Sequence, residues 1–405
     1  MAGYIMTIGA DEYLDVFYTV PHSGKTRKEV NSIASSVEEG KKMAKKYALE
    51  QCILRGTSSA KTAEKGAAFL GTLADYLGMK TGDDIYFFTE RKIYGIGKLI
   101  NIEDIDCRFR IHPTDELSEE LVEEKNPGIH QFTCTFQPAP YFFKRGVDID
   151  EVLTFSPEKI TSLRFFSGMT FIKLDDVESE AIKNVIARKN ELFLNAESKD
   201  KHFEFSEETH LAIAAKLRES AELYKLSIFD YLKKKTNGNV TSEYYLEGAI
   251  MDLLRDYDSP TLGHWDFIGR QYPASPPKPS EYEEAMDLFG YRYVPGFSTA
   301  VSKYLVIELK VGTINKEHVQ QTMKYVDWIS REYAKGDYSM IEAYTIGYDK
   351  ESNIEENCKD IIERNYIIEG RPVTNCKWQN LRVLSYCTLL QELQEKRKGT
   401  NAGDE

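Results

Sequence analysis

The apolar and polar positions form their clearest pattern over residues 304–325, YLVIELKVGTINKEHVQQTMKY. Leu305, Val306 and Ile307 are a short apolar run that predicts a buried strand, ending in Glu308-Leu309-Lys310. Side chains alternate along a strand, so Glu308 and Lys310 leave it from the same face. After a turn at Gly312 the spacing predicts a helix over 316–331, on which Gln321 and Tyr325 stand four apart and share a side.

The flanking pattern extends this into an α/β arrangement. Residues 242–257 predict an amphipathic helix capped by Ser242, with Leu246, Ala249, Ile250 and Leu253 inward and Glu243 and Glu247 four apart. A short strand over 263–268 precedes the proline-rich QYPASPPKPS, which reads as a loop. Strands follow over 285–293 and 339–347, a helix near 357–365, and a strand over 382–386 that closes the sheet. The final QEKRKGTNAGDE reads as a charged, disordered tail.

In the first half, residues 4–20 alternate as one or two strands, 35–51 have helical spacing, and a loop from 57 leads into a helix ending at 77. IYFFTERKIYGIGKLINI predicts a hairpin bending at 89–92, followed by strands over 131–137 and 171–174 and a helix over 176–190. An apolar stripe through Leu211, Ala214, Leu217, Ala221, Tyr224, Ile228 and Leu232 predicts a long helix over 206–235. The expected organisation is an N-terminal domain over 1–195, a helical linker over 196–240, a second domain over 241–390 and a tail over 391–405.

Composition narrows the function. At 405 residues the chain suits two or three domains, and 41% hydrophobic with 29% charged residues is ordinary for a soluble protein. There is no signal-peptide pattern and no membrane-length apolar run, so a cytoplasmic protein with no membrane partner is expected. The six cysteines lack zinc-ligand spacing and read as reduced thiols. A net charge of −13 argues against a general polyanion-coating protein but leaves local contact patches open. Ser23-Gly24-Lys25-Thr26 has Thr19 where a phosphate-binding loop needs glycine, and Gly95-Ile96-Gly97 lies inside a strand, so neither reads as a nucleotide site.

The order helix, strand with Asp, strand with Glu-x-Lys, helix with Gln-x-x-x-Tyr, strand over residues 240–350 resembles the PD-(D/E)XK nuclease superfamily. "VIELK" followed by "QQTMKY" is similar to its QxxxY branch, which includes RecB-type nuclease domains, the mismatch endonuclease NucS and the anti-phage Shedu proteins. The resemblance implies a C-terminal mixed sheet flanked by helices and a Mg²⁺- or Mn²⁺-dependent endonuclease acting on DNA. Catalytic residues would be Asp287, Glu308, Lys310, Gln321 and Tyr325. The metal would be held by Asp287, Glu308, the Leu309 carbonyl and Glu247 or Glu243, since hard cations take oxygen ligands. Asp287 lies 21 residues before Glu308, a gap a hairpin fits, whereas Asp266 needs 42 residues bridged; Met286 stands where the superfamily's proline would be.

The strands "GDDIYFF" and "KIYGIGKL" with the loop PAPYFFKRG resemble the PUA-like group that includes EVE domains. That implies an N-terminal α+β domain, PUA-like and barrel-shaped, with Tyr141 and Phe142 stacking on bases and Lys144 and Arg145 near phosphate. Anti-phage defence or modification-dependent restriction, and a dimer or tetramer able to cut both strands, follow from the resemblance. The rivals are a catalytically silent nucleic-acid sensor on the same scaffold and an RNA-directed nuclease.

Overall fold

A computed structural model describes residues 2–7, 53–56, 67–89, 91–110, 132–165, 171–194, 202–203, 210, 211, 214, 215, 217, 218, 228, 240, 242–276 and 283–401. The helix expected over 35–51, the 23–26 turn and Cys52 lie outside them. The chain divides into two compact units, Met1–Ser227 and Ile228–Glu405, both mixed α/β. Among the described residues, no helix is long and apolar enough to cross a membrane.

The first unit contains β1 (Gly3–Thr7), β2 (Ile53–Gly56), α1 (Ala67–Gly78), β3 (Asp84–Thr89), β4 (Lys92–Leu99), β5 (Arg108–Arg110), β6 (Phe132–Pro138), β7 (Phe142–Phe143) and β8 (Val147–Asp148). After them come α2 (Ile149–Phe155), β9 (Phe171–Leu174), α3 (Asp176–Lys189), α4 (Glu191–Leu194) and β10 (His202–Phe203). Its main sheet runs β2-β6-β4-β3-β1-β9, with β5 on β6 and β8 on β4; β2 and β9 do not pair with each other among the described residues. β3 and β4 form the expected hairpin, with Thr89 opposite Lys92. A Cβ on Gly97 would lie 2.6 Å from Ile85 and 2.7 Å from Phe136, so that glycine serves strand packing. Asp175 caps α3 through the Glu178 N–H, and Ala181, Ile182, Val185 and Ile186 of this helix share a core with Ile5, Tyr86 and Ile93. Along the 206–235 stripe Ala214, Leu217 and Ile228 are buried, but Leu211 is 41% exposed and stands outside it.

The second unit contains α5 (Glu243–Leu254), β11 (Phe267–Pro273), β12 (Ala285–Val294), β13 (Phe297–Leu309), β14 (Thr313–Ile314), α6 (Lys316–Glu332), β15 (Ile341–Gly347) and β16 (Asp349–Lys350). It continues with α7 (Ile354–Asn357), α8 (Lys359–Ile362), β17 (Arg364–Gly370), β18 (Val373–Trp378), β19 (Leu381–Ser385) and α9 (Tyr386–Asn401). The sheet order is β11-β12-β13-β15-β19. β11, β12 and β13 are antiparallel neighbours, whereas β13, β15 and β19 run parallel, with α6 making the crossover from β13 to β15. β13 is exposed at its start and buried from Tyr304 onward, so its last residues enter the core just before the Glu-x-Lys step.

Three expectations are corrected here. β11 runs through Gln271-Tyr272-Pro273, which the proline content assigned to a loop; it is an edge strand, where a residue lacking an N–H is tolerated. β17 and β18 form a hairpin that the pattern did not foresee, because most of its residues are exposed on both faces and no alternation marks it. Most of the expected tail is helix α9, which buries Tyr386, Leu389 and Leu393. Glu392 on α9 accepts bonds from the Ser259 and Thr261 hydroxyls. Lys396 Nζ donates to the carbonyls of Asp252 (2.6 Å) and Leu253 (3.3 Å) at the end of α5, a favourable place for a cation. Ser242, in turn, occupies the cap position of α5 without a side-chain cap bond.

Leu393→Ala removes a side chain only 2% exposed. It is expected to lower the unfolding free energy in urea by about 2–4 kcal/mol. A change within about 0.5 kcal/mol would return this segment to a solvated tail.

Candidate active site

Three acids meet at one end of the second sheet. β12 and β13 pair Leu288 with Ile307, and one further step of that register sets Asp287 across from Glu308. Asp287 Oδ2 accepts the Leu309 N–H at 2.7 Å, which ties the two strands at this point. Glu247 comes from α5 and is fully buried, Glu308 is 1% exposed and Asp287 9%. Lys310, next after the strand, lies 2.6 Å from Glu308 Oε1 and 3.7 Å from Glu243 Oε1. Its backbone N–H donates to the Ile346 carbonyl of β15. Gly347 follows Ile346, and a Cβ there would sit 2.7 Å from the Gly312 carbonyl, so the loop after Lys310 can close over β15 only beside a glycine.

Arg270 and Gln271, which the sequence pattern did not single out, supply the counter-groups. Arg270 Nε donates to Glu247 Oε2 at 2.8 Å. Gln271 Nε2 donates to Glu247 Oε1 at 2.6 Å and to Asp287 Oδ1 at 3.2 Å. Consecutive residues of a regular strand point to opposite faces, yet both reach the same carboxylate. Gln271 achieves this with a left-handed φ of 47°, a backbone state uncommon outside glycine and frequent at functional sites. A positive φ is not legible in a Gln, so no sequence signal marked it.

Burial and like charge dominate the electrostatics. Asp287 is pushed up to about 8 by its burial and then by the negative charges of Glu308 and Glu247, against the pull of the Leu309 N–H and Lys310. Glu308 is raised by burial, opposed by its bond to Lys310. Burial draws Lys310 down, but the bond to Glu308 and the charges of Glu308, Asp287 and Glu243 outweigh it, so the ammonium stays charged. Glu308 Oε2 is buried with no donor while both carboxyls are ionised; a protonated Asp287 is the group able to serve it.

Helix α6 brings the amide and phenol to this end. Gln321 Nε2 donates to Tyr325 Oη at 3.2 Å, and Tyr325 is raised by burial and further by the charges of Glu308, Asp287 and Glu284. Thr322, on the same side, bonds to Thr345 Oγ1 on β15 at 2.7 Å and seats the helix on the sheet. Asp266, the other candidate aspartate, accepts the Tyr293 N–H, six residues along β12 from Asp287, and is not part of the cluster.

The base-stacking candidates fare differently. Phe142 is fully buried, with its ring 5.3 Å from that of Phe87 and 5.7 Å from that of Phe136; it is a core residue and presents no face to a base. Tyr141 is half-buried and packs against Phe143 at 6.0 Å, while Lys144 and Arg145 are exposed.

Among the described residues no three His, Cys, Asp or Glu side chains form a ready-made metal cluster. Each acid is already engaged, and Glu247 has both oxygens on protein donors, which makes it a brace for Asp287 through Gln271. The donor set nevertheless fits a hard divalent cation: crowded carboxylates whose mutual repulsion a cation would relieve, and a buried Glu308 oxygen that has no donor once Asp287 is ionised.

A folded-state value near 8 on an aspartate, against about 3.9 in the unfolded chain, favours folding at low pH and weakens it as pH climbs through that interval. Asp287→Asn is therefore expected to melt higher than wild type at pH 8 in EDTA, with the two curves converging near pH 4. Melting temperatures across that range decide it, and identical pH profiles would contradict the cluster's electrostatics.

Comparison of the chain with protein-family models, with curated proteins and with solved structures gives no match, so the reading of this site rests on its own residues.

Proposed function

We propose that the second unit is a Mg²⁺- or Mn²⁺-dependent endonuclease that hydrolyses phosphodiester bonds in DNA. The observation that carries this reading is the convergence of Asp287, Glu308 and Lys310 at adjoining strand ends, with Gln321 and Tyr325 on the helix beside them. The order helix, three antiparallel strands, crossover helix, parallel strand also agrees with the nuclease family that the motif resembles.

A divalent ion held by Asp287, Glu308 and the Leu309 carbonyl would supply an activated water and neutralise charge on the phosphate. The remaining work falls to the chain. Lys310, kept charged by its acids, fits the stabilisation of negative charge developing on the phosphoryl oxygens and the orientation of the attacking water. The Leu309 N–H and Gln271 fix the rotamer of Asp287 from both oxygens. Tyr325, held as a phenol, and Gln321 offer hydrogen-bond donors to a phosphate oxygen at the same end. Steering by the first unit, a defence or restriction role, and a dimer or tetramer rest on the resemblance and on the need for two sites to cut two strands.

One observation favours a rival, a silent nucleic-acid sensor: the acids are satisfied internally by Arg270, Gln271 and Lys310. Cleavage of plasmid, linear and modified DNA and of RNA in Mg²⁺ or Mn²⁺ separates the two. Lys310→Ala is expected to reduce turnover by roughly 10²–10³-fold while leaving DNA affinity in Ca²⁺ within a few-fold. Asp287→Asn is expected to abolish both cutting and the Mn²⁺-induced rise in melting temperature. Binding without cutting of any substrate, unchanged by either variant, would establish the sensor.

A further inference from the structure

His318 stands at the third position of α6, where its Nδ1 accepts the backbone N–H of Asn315 at 3.2 Å while the Asn315 side chain accepts the N–H groups of Glu317 and His318. This reciprocal cap has a chemical consequence. A ring nitrogen that accepts a hydrogen bond carries no proton, so the neutral imidazole carries its proton on Nε2. The cap thus fixes both the tautomer and the orientation of the ring.

Helical spacing sets this ring on the same strip as Gln321 and Tyr325, at i, i+3 and i+7. Thr322, one turn on from His318, bonds into β15, so the strip faces the sheet. The ring is half-buried and lies within the field of Lys310, whose positive charge, after burial, holds it below its usual range and therefore neutral near pH 7. A cap alone would be better served by Glu, which accepts the same N–H and suits the positive end of a helix. Glu beside Lys310 would also put an anion where a phosphate has to dock. Histidine accepts the cap bond and still offers an N–H.

We propose that His318 is a substrate-contacting residue of this site, donating from Nε2 to a non-bridging oxygen of the phosphate that Lys310 faces, in line with Gln321 and Tyr325. The inference rests on the phosphodiesterase reading above and specifies the anion-binding face of that site.

The test compares wild type with His318→Gln and His318→Glu. Both side chains accept the Asn315 N–H, so melting temperatures are expected to stay close to wild type, while only Gln keeps a neutral donor. With a DNA duplex in Ca²⁺, His318→Glu is expected to bind roughly ten- to a hundredfold more weakly, the range of one hydrogen bond to a charged group, and His318→Gln within a few-fold. In Mg²⁺ the same order is expected in kcat/KM. The direct readout, which needs no variant and stands even where a variant fails to fold, is the ¹⁵N shift of the His318 ring in wild type titrated with thymidine 3′,5′-bisphosphate. Nε2 is expected to move and Nδ1 to hold. An unmoved Nε2, or a His318→Glu protein that binds and cuts like wild type, overturns the proposal. A wild type that neither binds nor cuts any nucleic acid removes it together with the reading it rests on, whereas a wild type that cuts normally with a silent His318 removes the proposal alone.

Discussion

Three carboxylates buried together at one end of a five-stranded sheet set the terms for the second unit. Two like charges about 4 Å apart cost about 4 kcal/mol at an effective dielectric near 20. A fold of ordinary stability, about 5–15 kcal/mol, cannot carry several such contacts without counter-groups. The local irregularities answer to this. Gln271 adopts a left-handed backbone so that one amide can bond two acids, Arg270 covers the far oxygen of Glu247, and Lys310 folds back on Glu308. Asp287 meets the Leu309 N–H and, near neutral pH, keeps a proton that an exposed aspartate would lose.

The rest of the unit holds these groups in register. Antiparallel pairing of β12 with β13 aligns Asp287 and Glu308, and parallel pairing of β13 with β15 anchors the Lys310 backbone on Ile346. α6 follows from a loop that closes beside Gly347, so its first turns overlie the strand ends. α5, which brings Glu247 and Glu243, is held at its C-terminus by Lys396 and through its following loop by Glu392, both on α9. A helix at the far end of the chain thereby fixes the position of an acid in the cluster.

The sequence made legible those parts of this arrangement that obey a period. Glu308 and Lys310 share a face by alternation, Gln321 and Tyr325 share one by helical spacing, and Asp287 follows from the hairpin length; the structure gathers all five at one end of the sheet. What broke a period was hidden. Arg270 and Gln271 sit next to a proline-rich stretch that reads as a loop, and their convergence on Glu247 depends on one positive φ. α9 was masked by its charge, since only a few of its positions are buried while the others face water. In the first unit, Phe142 looked like a stacking ring because aromatic, proline and basic residues adjoin it, but aromatics beside basic residues also line ordinary cores.

The cluster's internal satisfaction and a catalytic role are compatible on physical grounds. A proton on Asp287 removes one of the adjoining negative charges and supplies the one donor that Glu308 Oε2 lacks. A divalent cation held there would do the same two things more strongly, neutralising both carboxylates in competition with that proton. Such an exchange would leave the surrounding ion pairs in place, since Arg270 and Gln271 grip Glu247, and Lys310 grips the oxygen Oε1 of Glu308, not Oε2. A purely structural ion-pair network would gain by satisfying every oxygen, because a buried acceptor left without a donor costs about 1–3 kcal/mol. This one leaves Glu308 Oε2 dependent on a single titratable proton, that of Asp287, beside the ammonium of Lys310, the amide of Gln321 and the phenol of Tyr325.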